Sequence, residues 1–84
     1  MNNIIARKIE LTDTYQPLAA KRTVATVTLS ALPSNTNTAY LLGDTGQDVP
    51  LIPGEWHTLH HVDLASIQVK GTAGDIITLN GGTW

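Results

Sequence analysis

Three histidines, His57, His60 and His61, crowd into five consecutive positions and form the densest group of chemistry-bearing side chains in the 84-residue sequence. On a helix an H-x-x-H-H run brings side chains i and i+4 onto one face, where a zinc ion can be held. On a strand the same four steps span ~13 Å, too far for one ion. The surrounding residues read as a strand, with His57, Leu59 and His61 on one face and Trp56, Thr58 and His60 on the other. A single chain is therefore not expected to chelate a metal, and no metal or cofactor is predicted. A three-fold axis is the exception, because it can gather one histidine from each of three copies, and His60 is kept as a contact candidate. Asp63 is the only acid close enough in sequence to buttress such a ligand.

Other chemistry finds less support. Ser30, Ser34 and Ser66 lack the G-x-S-x-G elbow of an activated nucleophile, and the chain has no cysteine. The seven acids, Glu10, Asp13, Asp44, Asp48, Glu55, Asp63 and Asp75, sit mostly at turns, where carboxylates satisfy backbone N–H groups. Gly71-Thr72-Ala73-Gly74 has the G-x-x-G spacing of an RNA-clamping loop, but that loop joins two helices and none is expected here. Asp44-Thr45-Gly46 matches the D-T-G of aspartic proteases, yet a second copy and a larger fold are missing, so it reads as a turn. The catalytic expectation is none.

The elements that would position these residues are strands. Seven Ile, five Val and twelve Thr are β-branched and stiff at χ1, which favours a pleated surface. Residues 6–12 alternate, with Ile9 and Leu11 against Lys8, Glu10 and Thr12. Residues 22–31 alternate more clearly, with Ala25, Val27, Leu29 and Ala31 on one face. Residues 38–42, 48–52 and 56–61 read as further strands, as do Ala65, Ile67 and Val69 with their alternating neighbours, and residues 76–80. Punctuation comes from residues 13–20, from Pro33 to Asn37 with asparagines that tolerate left-handed dihedrals, and from Gly43 to Gly46. Pro53-Gly54 has the form of a type II turn, and Gly71 to Asp75 reads as a hairpin. The fold class expected is all-β, a small β-sandwich or jelly-roll-like barrel of six to eight short antiparallel strands. Residues 1–5 form an N-terminal arm and residues 6–84 a single domain.

A domain of this size buries only about 60–65% of its unfolded surface, and without cysteines association is the remaining source of stability. Five Lys plus Arg and a net charge of -2 give no field for phosphate, so nucleic acid is excluded as a partner. The longest apolar run is four residues, Ala39 to Leu42, so no membrane span and no secretion signal are expected. Apolar residues left outside a two-sheet core point the same way: Ile4 or Ile5, Leu41 or Leu42, and Ile76, which is offset from Ile77 and Leu79. The two tryptophans, Trp56 and Trp84, are the other candidates for contact. Trp84, after Gly81-Gly82, is either a tethered anchor for a neighbour or a cover for its own barrel end. Ile4, Ile5, Trp56, His60, Ile76 and Trp84 are the candidate contact residues.

Order and spacing from Thr26 onward resemble a known pattern. Thr26-Val27-Thr28-Leu29-Ser30-Ala31-Leu32-Pro33 is followed by Tyr40-Leu41-Leu42-Gly43-Asp44, then by Val49-Pro50-Leu51-Ile52-Pro53-Gly54-Glu55. Val62-Asp63-Leu64-Ala65-Ser66-Ile67-Gln68-Val69-Lys70-Gly71 and Gly74-Asp75 complete the series. This succession, over residues 24–80, resembles small virion structural proteins of tailed bacteriophages. The resemblance implies a virion structural role and a compact β-sandwich without catalytic residues, and does not select a place in the particle. The leading expectation is a decoration (cement) subunit on the capsid surface, made in the host cytoplasm, a trimer clamping the major capsid protein. Head-to-tail adaptor, neck and tail components share the pattern, while a carbohydrate- or metal-binding sandwich is the reading from outside it. The histidine-rich run departs from the family, where that strand alternates polar and aliphatic residues.

Overall fold

A computed structural model describes residues 3–84. Eight strands follow one another: β1 (Ile4–Glu10), β2 (Gln16–Pro17), β3 (Val24–Ala31), β4 (Ala39–Leu42), β5 (Asp48–Leu51), β6 (Trp56–Asp63), β7 (Gln68–Lys70) and β8 (Ile76–Thr83). They build two four-stranded antiparallel sheets, in the orders β1-β8-β3-β6 and β2-β7-β4-β5. The pairing is nested, with β1 on β8, β2 on β7, β3 on β6 and β4 on β5. A long antiparallel ribbon wrapped into two facing sheets in this way is a jelly roll.

Alternation dictates which face is buried. Ala25, Val27, Leu29 and Ala31 of β3, with Ile5, Ile77 and Leu79 beside them, face inward and are buried. They meet Ala39, Leu51 and Val69 of the second sheet and Leu11, Leu18 and Leu64 from the connections, all in one cluster. Each fully buried Leu or Ile contributes about 1.5–3 kcal/mol. Prolines keep to edges: Pro17 lies in β2 and Pro50 in β5, the outer strands of the second sheet, where a missing N–H costs no ladder bond.

The local reading needs four corrections. The first strand begins at Ile4, so Ile4 and Ile5 are rungs of β1 paired with Gly82 and Gly81 rather than an arm, and Met1 and Asn2 lie outside the described residues. The connection at residues 13–20 contains β2. Leu64–Ser66 is a 3-10 turn, because the Asp63 carboxylate accepts from the Ala65 N–H at 3.1 Å and caps it. Gly71 to Asp75 is no hairpin, since β7 and β8 belong to different sheets.

Two side chains hold the crossings in place. Asn35 donates its amide to the Ile76 carbonyl and accepts from the Ile76 N–H, both at 2.9 Å, standing in for a strand partner. That clamp, rather than a left-handed dihedral, is its role, because His61 is the one non-glycine residue with positive φ among those described. Asp75 is buried and accepts from the Thr36 and Asn37 N–H groups, each at 3.0 Å, and from the Thr36 hydroxyl. The Pro53-Gly54 corner forms as expected, with Gly54 at φ 89° and the Glu55 N–H on the Ile52 carbonyl at 2.9 Å.

Candidate functional site

The histidine run is broken by a bulge. Ala25 pairs with Val62 and Val27 with Leu59, so His60 and His61 both stand opposite Thr26. The extra residue is His61, in the left-handed region at φ 52° with its N–H on the Thr26 hydroxyl at 3.1 Å. His57 points elsewhere, its Nε2 2.7 Å from Glu55 Oε2, and that hydrogen bond together with the Ile52 N–H holds the Glu55 carboxyl below its usual range. Among the described residues no three His, Asp or Glu side chains gather at metal-binding range. Two of the three serines are engaged structurally: Ser30 bonds Thr78 at 2.7 Å across the sheet, and Ser66 donates to the Asp63 carbonyl.

Trp84 extends the β8 ladder, its N–H on the Val24 carbonyl at 2.9 Å. Its indole N–H donates to the Thr26 hydroxyl at 2.8 Å, and the His61 ring packs against it with centroids 4.6 Å apart. Gly81-Gly82 is therefore strand, and the indole is fixed over its own sheet while remaining 63% exposed. A notch of about 250 Å³ lies beside it, lined by Thr26, Gly82, Thr83 and Trp84. Ile4, 86% exposed, flanks Gly82 across the β1–β8 ladder.

Register places several candidates together. Ile4, Gly82 and Thr26 form one row on the outer face of the first sheet, Ala6, Asn80, Thr28 and Thr58 the next, and Lys8, Thr78, Ser30 and Trp56 a third. That face therefore carries Ile4, Trp56 and Trp84 on a floor of small and hydroxyl side chains together with Asn80 and Lys8, with His60 at its margin. Ile76 shares the face but is half-buried. Ile5 points the opposite way and is 5% exposed, so it is a core residue and not a contact.

A second grouping, on the other sheet, was not singled out from sequence. Tyr40 of β4 and Lys70 of β7 are cross-strand partners. The Lys70 ammonium lies 4.8 Å from the centre of the Tyr15 ring, 5.9 Å from that of Tyr40, and 3.6 Å from Asp48. The Tyr15 hydroxyl donates to Asp48. Burial and that carboxylate push the Tyr15 phenol up to about 12, and the same hydrogen bond, with Lys70 nearby, holds Asp48 low. Adjoining this network is a pocket of about 370 Å³ lined by Asp13, Asn37, Thr38, Tyr40, Lys70, Gly71 and Thr72. No local signal links residues so far apart in sequence; only the nested pairing unites them.

Fold and surface together define the class, a jelly-roll sandwich with one uncovered apolar-dotted sheet face and a polar pocket among the loops at the other sheet. Set against family models, curated proteins and solved structures, the chain matches none. Among the described residues no helix is long and apolar enough to cross a membrane.

Proposed function

We propose that the chain is a bacteriophage capsid decoration subunit, a trimeric jelly roll that clamps the head lattice through the outer face of its β1-β8-β3-β6 sheet. The observation that carries this reading is the placement of Ile4, Trp56 and Trp84, three of the five large hydrophobic residues exposed among those described, on that one face. A lone exposed apolar residue needs no explanation, whereas two tryptophans and an isoleucine on one uncovered sheet face match the anchors of a contact surface. Multivalency supplies the mechanism. Several copies, each burying modest area on neighbouring major capsid proteins, resist shell rupture because many contacts must break at once. The sequence pattern over residues 24–80 adds support, as does the suitability of jelly rolls for building shells.

Quantitative mass spectrometry of purified particles from the phage whose genome encodes the chain tests this. Abundance comparable to the major capsid protein is the expected result. One ring's worth per particle would move the assignment to the neck or tail, and absence from particles would overturn the virion reading.

A further inference from the structure

The pocket beside Tyr40 and Lys70 lies on the sheet opposite the proposed attachment face, so a subunit docked through Ile4, Trp56 and Trp84 leaves it open to solvent. Three connections converge there: Asp13 from β1–β2, Asn37 and Thr38 from β3–β4, and Gly71 and Thr72 from β7–β8. They are tied to one another and to the core by hydrogen bonds and close packing. The Gly71 N–H donates to the Thr12 carbonyl at 2.8 Å, and a Cβ at Gly71 would meet Leu11 Cδ1 at 2.7 Å, so glycine lets this wall settle onto the core. Asp75 fixes Thr36 and Asn37 through its carboxylate, and its own carbonyl accepts from the Leu11 N–H at 2.9 Å. A preformed pocket avoids the entropy cost of ordering loops on binding.

The lining selects a ligand class. Asp13 makes no side-chain hydrogen bond among the described residues and offers carboxylate oxygens to hydroxyl donors. Asn37 adds an amide, Thr38 and Thr72 add hydroxyls, and Tyr40 supplies a half-buried aromatic surface. The one cation, Lys70, is already matched by Asp48 and lies near two tyrosine rings. With Asp13 and Asp48 against Lys70, the net charge here is negative, which disfavours phosphate, sulfate and acidic sugars. The hydroxyls, the amide and the tyrosine face of this lining suit a neutral ring with hydroxyls on its rim and C–H groups on its face.

We propose that this pocket binds a neutral saccharide, with Asp13 and Asn37 holding vicinal hydroxyls and Tyr40 packing against the sugar ring. The proposal goes beyond the virion assignment and does not depend on it.

Two-dimensional NMR of the full chain, titrated separately with D-glucose, D-galactose, D-mannose and N-acetyl-D-glucosamine, tests it, with inorganic sulfate and N-acetylneuraminic acid as anionic probes. The expected result is saturable shifts of the Asp13, Asn37, Thr38, Gly71 and Thr72 amides with at least one neutral sugar and with neither anion. Asp13→Ala, an exposed position, should weaken that binding at least about tenfold while leaving the remaining spectrum in place. Tyr40→Ala should weaken it as well. Shifts caused only by the anions, shifts confined to the Trp56 and Trp84 indoles, or no saturable shift with any of the four sugars would overturn the proposal. The measurement uses free protein, so its failure leaves the particle assignment standing, and absence of the chain from particles leaves the pocket standing.

Discussion

A Cβ built on Gly81 would lie 1.9 Å from the Thr26 carbonyl oxygen and 2.8 Å from the Val27 Cα, so β8 and β3 pass too closely there for any side chain. At Gly82 the nearest atom to such a Cβ is the Asn3 carbonyl oxygen at 3.6 Å, an ordinary contact. Adjacent glycines therefore carry opposite expectations. Gly81→Ala should destabilise the domain by about 2–3 kcal/mol through overpacking against backbone, and Gly82→Ala by less than about 0.5 kcal/mol, as urea unfolding would measure. Equal losses would refute the close-approach account. In sequence, Gly81-Gly82 suggested a loose tether, because nothing local reveals the distance to a partner strand more than fifty residues away. Trp84 resisted reading for the same reason: its indole is fixed by Thr26, and only the β3–β8 register brings the two together.

Among the elements, strands with clean alternation were legible and the joints between them were not. The periodicity of β3 follows its burial residue by residue, since inward positions had to be apolar. Alternation also suggested a strand from Ala65, where the chain makes a 3-10 turn. The competing signal was present in Asp63 and Ser66, whose side chains bond backbone groups of that turn. The joints depend on ionised carboxylates. N–H groups of Thr36 and Asn37 hold Asp75 below its ordinary range, and those of Thr23 and Ala65 do the same for Asp63. A folded-state value lower than the unfolded one adds stability that is fully present above the unfolded value, about pH 4, and is lost as pH falls through the folded one. The midpoint of thermal unfolding should accordingly stay level from pH 7 to about pH 5 and fall below about pH 4. Asp75→Asn should melt several degrees lower at pH 7 and show a shallower acid decline, as circular dichroism melts would record. An unchanged midpoint at pH 7 would show that this carboxylate does not hold the crossings together.

At the scale of the molecule, the all-β class followed from composition and turn spacing, whereas the nested pairing did not, because β1 and β8 meet only after the whole chain has been laid down between them. That pairing decides which apolar residues stay outside. Ile4 and Ile5 are indistinguishable in sequence, yet one is 86% exposed and the other 5%. Association through the sheet face is favoured over addition of a strand at its edges: β6 is interrupted by the His60–His61 bulge, and β1 carries Arg7, Lys8 and Glu10, devices that discourage edge pairing. The Ile4 side chain and the notch beside Trp84 lie next to each other on the face proposed to meet the shell, so in the trimer the contact between copies lies elsewhere on the surface. A repeated contact between copies closes into a ring when the rotation allows. Light scattering at low micromolar concentration should give a mass near three times the 9.0 kDa of one chain. Ile4→Ser should leave that mass and the fold unchanged, because the side chain is already in solvent, and should lower the occupancy of the chain on purified particles. A monomeric wild type would reject self-association of the free subunit and make the shell lattice the only template for the trimer, whereas a trimer dissociated by Ile4→Ser would make this face the contact between copies rather than the contact with the shell.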